Sequence, residues 1–136
     1  MPFTVWNDRI SVGVETIDAD HKKLVGMIND LYDAIVAGCA RKKLDGLLDH
    51  LVDYTRYHFA REEELLVRTG YPDAAAHKRA HDEMAAWMNT ASHRYHNSSA
   101  IAPSLEVMNY LTDWLYNHIL GLDQKFAPHL KAHNIL

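Results

Sequence analysis

Two pairs of residues suited to metal binding recur at four-residue spacing in the middle of the chain. His58 is followed by Glu62, and His77 is followed by His81. On a helix, residues at i and i+4 project from one face with Cβ atoms about 5–6 Å apart, so that each pair can grip one ion. Imidazole nitrogens combined with carboxylate oxygens suit first-row transition metals. The spacing therefore predicts metal binding between helices.

Two further polar residues, His21 and His118, interrupt apolar stripes at positions where helical periodicity would place leucine or isoleucine. Burial of each such group without a partner would cost about 1–3 kcal/mol, against a total stability of about 5–15 kcal/mol. The polar groups must therefore satisfy one another or share an ion. Ten histidines and a single cysteine, Cys39, favour a metal site built from nitrogen and oxygen donors.

The candidate donors are too numerous for one ion. They comprise five imidazoles and two carboxylates: His21, His58, Glu62, His77, His81, His118 and Asp123. A first-row ion rarely takes more than about six donors, and zinc is satisfied with about four. If both carboxylates and a solvent-derived oxo or hydroxo group bridge two ions, a three-to-two division of the imidazoles leaves one ion with a vacant position. That vacancy predicts the binding of a small molecule.

The spacing of the last two candidate donors does not fit a regular helix. Asp123 follows His118 by five residues, and on an ideal helix these side chains would point about 140° apart. Gly121 lies between them. We interpret Gly121 as the site of a distortion, or of a helix end, that brings Asp123 beneath the bundle.

Four amphipathic segments must position these donors. Apolar residues recur in them at three- and four-residue steps, as in helices that bury one face. The segments are residues 18–37, 42–69, 73–96 and 104–121. Because short breaks join them, we predict an all-α, up-down-up-down four-helix bundle, with Asp18 as the first N-cap. Residues 1–16 are predicted to form an extended N-terminal arm and the chain to end in a short C-terminal helix, within a single domain of residues 1–136.

Composition excludes several classes of protein. With 136 residues, of which 48% are hydrophobic and 24% charged, the chain has the balance of one ordinary soluble domain. Six glycines and four prolines are few for an all-β protein, and no apolar run reaches the length of a membrane span. A net charge of −4 disfavours nucleic acid as a partner. The N-terminus lacks the pattern of a secretory signal, and we expect a cytoplasmic monomer.

The combined motifs resemble the hemerythrin family, specifically its single-domain bacterial members. The motifs are Ile17-Asp-Ala-Asp-His21, His58-Phe-Ala-Arg-Glu62-Glu63, His77-x-x-x-His81 and Trp114-Leu-Tyr-Asn-His118-Ile-Leu-Gly-Leu-Asp123. The resemblance covers nearly the whole chain and all seven ligand positions of the family. Gln124 stands where a lysine often follows the last ligand, and Phe126 stands where a tyrosine is common.

The resemblance implies a pair of non-haem iron ions, as Fe2+ or Fe3+, and reversible binding of O2. One iron would be held by His77, His81 and His118, the iron with the vacant position by His21 and His58, and both would be bridged by Glu62, Asp123 and an oxo or hydroxo group. Leu115, one turn before His118, and the adjacent Trp114 are the predicted wall of the O2 pocket, because helical side chains lean toward the N-terminus. The remaining histidines are expected to face solvent: His50, His93, His96, His129 and His133.

An imidazole-rich centre favours an oxygen carrier over an enzyme. Two ferrous ions bring four positive charges, and two carboxylates with one hydroxide offset three of them, so the centre disfavours the high-valent iron that oxidases use. Di-iron oxygenases and ferritin-like proteins instead use four carboxylates and repeated Glu-x-x-His pairs, which this sequence lacks. We expect O2 storage or delivery, with an oxygen-consuming enzyme as recipient. An oxygen or redox sensor, and weak oxidase or nitric-oxide chemistry, are the alternatives.

Overall fold

The computed structural model describes residues 3–100 and 102–136. The helices are α1 (Glu15–Val36), α2 (Arg41–Arg68), α3 (Ala74–His96), α4 (Leu105–His118) and α5 (Gln124–Ala132). A 3-10 turn, Asp8–Ile10, precedes α1, and a π-helical turn, Ile119–Asp123, joins α4 to α5. The described residues contain no strand. The predicted all-α bundle with a short C-terminal helix is confirmed.

Short connections make consecutive helices antiparallel. The chain leaves α1 through Gly38 and α2 through Gly70, at φ values of +70° and +69° that glycine adopts without strain. After each glycine the next N–H bonds back into the helix, over 3.0 Å from Cys39 and 2.9 Å from Tyr71, which satisfies the terminal carbonyls. The beginnings of α1 and α3 therefore lie beside the ends of α2 and α4. We call this the donor end, because all seven candidate donors lie there, and the opposite end the distal end.

The N-terminal arm packs on the bundle, as expected, but it differs in detail from the prediction. Helix α1 begins at Glu15 rather than after Asp18, and Asp18 is not its N-cap. The Asp18 carboxylate instead accepts hydrogen bonds from Ser11 Oγ, at 2.6 Å, and from Val12 N, at 2.8 Å. An aspartate near a helix start also satisfies the N–H groups of a neighbouring segment, and sequence periodicity does not distinguish the two roles.

Further hydrogen bonds fasten the N-terminal arm to α1 and to the start of α5. Thr4 N donates to Asn29 Oδ1 of α1 at 2.8 Å, and Asn29 Nδ2 donates back to Thr4 O at 2.7 Å. Gln124, at one of the two positions that depart from the family pattern, donates from Nε2 to Arg9 O at 2.8 Å. The arm is therefore held by α1 and α5 together.

The core follows the predicted apolar stripes. Each of the four long helices contributes fully buried side chains, among them Ile17, Leu31, Leu44, Met84 and Met108. Among the described residues, no helix combines the length and apolar composition that a membrane crossing requires.

Candidate metal centre

All seven candidate donors converge at the donor end of the bundle. Their side chains come from α1, α2, α3, α4 and the π-helical turn, and each residue is at most 7% exposed. They form two overlapping groups, each with ligand atoms within 4.8 Å of one another. The groups are His77, His81, His118, Glu62 and Asp123, and His21, His58, Glu62 and Asp123. The two carboxylates thus belong to both groups.

Glu62 divides its two oxygens between the groups. Its Oε2 lies 2.7 Å from His58 Nε2 and 3.3 Å from His21 Nε2. Its Oε1 lies 3.1 Å from His77 Nε2 and 3.3 Å from His81 Nε2. A carboxylate with one oxygen toward each set of imidazoles has the arrangement required to bridge two ions.

Asp123 repeats this division from the other side. Its Oδ1 lies 3.0 Å from His118 Nε2 and 3.2 Å from His77 Nε2, whereas Oδ2 lies 3.1 Å from His21 Nε2. The residue is 0% exposed, yet neither oxygen accepts a hydrogen bond. A buried carboxylate with no hydrogen bond is strongly unfavourable unless a cation lies beside it. The donor set therefore fits a cation at the points where these atoms converge.

Two pairs of imidazole nitrogens also lie close to each other in this site. His21 Nε2 lies 3.1 Å from His58 Nε2, and His81 Nε2 lies 3.0 Å from His118 Nε2. Two nitrogens that each lie about 2.1 Å from one ion at a right angle would be separated by about 3.0 Å. Both pairs thus have the spacing of two ligands bound at a right angle to one ion.

The π-helical turn accounts for the position of Asp123. A π-helix bonds residue i to i+5, so the fifth residue after His118 takes the place that the fourth has in an α-helix. Asp123 therefore returns to the face of His118 despite the extra residue. The predicted distortion is present, and Gly121 lies within it, although the turn does not depend on glycine. A Cβ at Gly121 would meet nothing within 4 Å and its φ is not positive, so the turn does not require glycine.

Comparison with known proteins places this donor set in a family. The family model described as the hemerythrin HHE cation binding domain matches residues 12–130. The chain belongs to the hemerythrin family. It is 38% identical over 133 residues to a bacteriohemerythrin of Stenotrophomonas maltophilia (strain R551-3), covering 98% of this chain and 85% of the relative. Identity to the bacteriohemerythrin of Methylococcus capsulatus (strain ATCC 33009 / NCIMB 11132 / Bath) is 34%, over 85% of this chain and 86% of the relative.

Solved hemerythrin structures share the fold. A wild-type hemerythrin crystal structure matches with a TM-score of 0.87 and 31% identity, covering 94% of this chain and 98% of that chain. A leucine-to-alanine mutant of hemerythrin matches with a TM-score of 0.89 and 30% identity, covering 96% of this chain and 98% of the mutant chain.

Two carboxylates that the sequence reasoning missed hold the outer nitrogens of this hemerythrin-family site. Asp20, 5% exposed, lies with Oδ2 3.0 Å from His58 Nδ1 and also accepts from Tyr54 Oη at 3.0 Å. Glu63 is half-buried with Oε2 3.2 Å from His81 Nδ1. Asp20 continues the stripe of Ile17 at three-residue spacing, a signal that could have revealed it. Such carboxylates fix the ring so that Nε2 points at the ion.

Replacement of Asp20 by Asn is expected to weaken iron binding by about 10–100-fold, as other outer hydrogen-bond partners of metal ligands do. The amide lacks the charge that draws the His58 Nδ1 proton, so the ring is less firmly oriented and less basic. Chelator competition on the iron-loaded protein measures the effect. Asp30→Asn, exposed on the same helix, is the matched control. Equal iron retention in both variants would assign Asp20 a purely structural role.

Burial and the neighbouring carboxylates shift the pKa values of His58 and His77 in opposite directions. Burial lowers the pKa of His58, but Glu62 and Asp20 more than compensate and raise it to about 10. Burial likewise lowers the pKa of His77, while Asp123 and Glu62 raise it to about 9. Burial raises the pKa of Glu62, but the neighbouring His58 and His21 hold it well below its ordinary value. Without a cation, His58 and His77 therefore take up protons at neutral pH, which an incoming ion must displace.

Aromatic rings cover one side of the site. Phe59 stacks on His81 with ring centroids 3.9 Å apart, and Trp114 stacks on His118 at 4.4 Å. Trp114 therefore lies against the group with three imidazoles rather than against His21. Leu115 is buried, at 7% exposure. Phe59 was not singled out from the sequence, although it directly follows a predicted donor.

Four of the five remaining histidines face solvent as expected: His50, His93, His96 and His133. The expectation for His129 is wrong. His129 is half-buried, and its Nε2 lies 3.0 Å from both the carbonyl oxygen and Oγ1 of Thr69, at the end of α2. It fastens α5 to α2 because the carbonyls at a helix end lack partners within the helix.

Proposed function

We propose that this protein binds O2 reversibly at a non-haem di-iron centre and serves in oxygen storage or delivery. The observation that carries the proposal is the division of Glu62 and Asp123, each with one oxygen toward either group of imidazoles. The relatives that match over most of their length bear the name bacteriohemerythrin, which supports the same function.

The donors divide unequally between the two ions. His77, His81 and His118 would hold one iron, His21 and His58 the other, and Glu62 and Asp123 would bridge, together with an oxo or hydroxo group. The iron with two imidazoles has fewer protein donors and would keep a position for O2. When bound, the paired iron supplies two electrons to O2 and recovers them on release.

The chain's own residues protect this exchange. The donors are almost fully buried, and Phe59 stacks on His81; we infer that these rings, Leu115 and other buried apolar side chains limit the access of water and protons to the centre. Water exclusion keeps the oxygen reduction reversible, because a proton source would allow reduced oxygen to leave as hydrogen peroxide. We propose a carrier without enzymatic turnover, present in the cytoplasm as a monomer, with an oxygen-consuming enzyme as the recipient.

The direct test combines metal analysis with optical spectra. Protein reduced without air, exposed to air and then freed of oxygen should contain about two irons per chain and show a spectral change that reverses. A single zinc, or oxidation that removal of oxygen does not reverse, contradicts the proposal. His77→Ala should lose iron, whereas His93→Ala, exposed on the same helix, should retain it. Equal losses would contradict the donor assignment.

Truncation of Leu115 is expected to accelerate autoxidation. Leu115→Ala removes apolar volume one turn before His118, so that water and anions reach the oxygenated centre more easily. The substitution also costs about 2–5 kcal/mol of stability, as core leucines typically do. The decay of the oxygenated spectrum to the diferric one, with and without azide, measures the effect.

The matched control for this prediction is Leu111→Ala. Leu111 lies one turn earlier on α4 and is equally buried, at 7% exposure. Leu111→Ala should lower the free energy of unfolding by a similar amount, but the oxygenated form of this variant should decay no faster than that of the parent. If both variants keep two irons and decay at the parental rate, Leu115 does not belong to the O2 pocket.

A further inference from the structure

A cavity of about 780 Å³ lies between α3 and α4 at the distal end of the bundle. The second half of α3 and the first half of α4 form its sides, whereas the donors lie on the first half of α3 and at the end of α4. Its volume falls within the range of about 300–1,000 Å³ that is typical of small-molecule sites. The cavity is therefore separate from the candidate metal centre and large enough for a ligand.

The walls of the cavity are predominantly apolar. Buried Leu51, Met88 and Leu111 line it, and Trp87 and Tyr110 add a stacked aromatic pair with ring centroids 4.0 Å apart. Aromatic rings offer a large apolar surface and favour contact with other rings. This lining suits a molecule with an aromatic ring.

Some of the polar groups at the cavity are engaged within the protein, whereas the buried hydroxyl of Tyr95 has no hydrogen-bond partner among the described residues. Thr90 Oγ1 donates to a carbonyl of its own helix at 3.1 Å, and Ser98 Oγ donates to Tyr95 O at 2.8 Å. Arg94 and Glu106 are the charged residues among the described lining, and their charges oppose each other. With no excess of either charge, the lining is complementary to an uncharged ligand, because an isolated ligand charge would be poorly compensated.

Arg41 fixes the chain segment at the mouth of the cavity. Its guanidinium donates to the carbonyls of Tyr95, at 2.6 Å, Ser98, at 2.6 Å, and Ala100, at 3.1 Å. Three fixed carbonyls hold the end of α3 and the start of the following loop in place. The cavity is therefore pre-formed, which lowers the entropy that a ligand must lose to bind.

We propose that the distal cavity binds an uncharged small molecule that contains an aromatic ring. The ring packs among the apolar side chains beside Trp87 and Tyr110. The site is independent of iron, and binding does not rely on the proposed oxygen chemistry.

Two fluorescent probes of the same arylaminonaphthalene framework test the proposal on the iron-loaded protein. N-phenylnaphthylamine is uncharged, whereas anilinonaphthalene sulfonate carries a negative charge. The uncharged probe should bind saturably at one site per chain and at least about tenfold more tightly than the sulfonate. Absence of saturable binding, or equal or tighter binding of the sulfonate, overturns the proposal.

A filling substitution locates the probe. Ala91→Phe places a ring in the cavity and should weaken the binding of the uncharged probe by at least about tenfold. The iron content and the oxygenated spectrum should stay unchanged. Ala75→Phe is the matched control, because Ala75 is exposed on the same helix and lies outside the cavity lining. Unchanged probe affinity in a folded Ala91→Phe protein overturns the proposal.

A measurement on the unaltered protein keeps the test independent of that variant. Indole N–H resonances in two-dimensional NMR should show a shift at Trp87 on titration with the uncharged probe and none at Trp6, which does not line the cavity. A shift at Trp6 without one at Trp87 places the probe elsewhere and contradicts the proposal.

Discussion

Removal of iron is expected to lower the free energy of unfolding by about 3–6 kcal/mol at neutral pH. Seven buried polar groups then lose their common partner, and each would cost about 1–3 kcal/mol if left wholly unsatisfied. His58 and His77 recover part of this cost by taking up protons beside Glu62 and Asp123. Urea unfolding of iron-loaded and iron-free protein, followed by circular dichroism, measures the difference. Equal midpoints would mean that the donors satisfy one another without a metal.

The loss of stability on iron removal should depend on pH. In the iron-free protein, the pKa values of His58 and His77 are raised from 6.5 to about 10 and about 9. Their protonation therefore stabilises the fold fully below pH 6.5, and this contribution disappears as the pH rises through 9–10. The lowered pKa of Glu62 contributes stability that is present above its ordinary value of 4.5 and is lost in acid.

The affinity for iron should instead increase with pH, because the ion must displace the imidazole protons. The difference in unfolding free energy between iron-loaded and iron-free protein should therefore widen from about pH 6 to about pH 9. Unfolding curves at both pH values test this sign. A difference that narrows over the same interval contradicts the assignment of these histidines as ligands.

A one-residue insertion in the π-helical turn is expected to remove most of the bound iron, as Asp123→Ala would. An extra alanine between Gly121 and Leu122 adds about 100° of rotation and about 1.5 Å of rise before Asp123, which turns its carboxylate away from His118. Metal analysis and the optical spectrum of the reconstituted protein measure the loss.

The opposite change should be tolerated. Deletion of Leu120, which is 46% exposed, leaves Asp123 four residues after His118, so a regular α-helix places both side chains on one face. This variant should keep about two irons per chain, as proposed for the parent. Iron retained after the insertion, or lost after the deletion, would show that the one-residue register does not set the position of Asp123.

Helical periodicity carried most of the prediction from sequence. A polar residue in an apolar stripe must point inward, and this reasoning found His21, His58 and His118 on three different helices. Periodicity specifies the face of a helix but not the partner of a side chain. The contact of Glu63 with His81 Nδ1 was therefore not predicted, and Asp18 was expected to cap α1, although it accepts hydrogen bonds from the arm.

The features that the sequence did not reveal depend on contacts between segments far apart in the chain. His129 lies in a short terminal helix, and its partner Thr69 is 60 residues away in the sequence, at the end of α2. The distal cavity depends on the distance between α3 and α4, which no local pattern encodes. A distortion or helix end near Gly121 was anticipated only because His118 and Asp123 were both required on one side, and its form as a π-helical turn was not predicted.

The donors at the candidate metal centre come from nearly the whole length of the chain, from His21 in α1 to Asp123 before α5. Bringing such distant segments together closes long loops. The chain loses conformational entropy before the contacts between these segments form, so we expect the contacts to form late in folding. A chain emerging from the ribosome has no complete pair of bridging carboxylates until Asp123 has been synthesised. A nascent chain that ends before Asp123 therefore carries only part of the donor set.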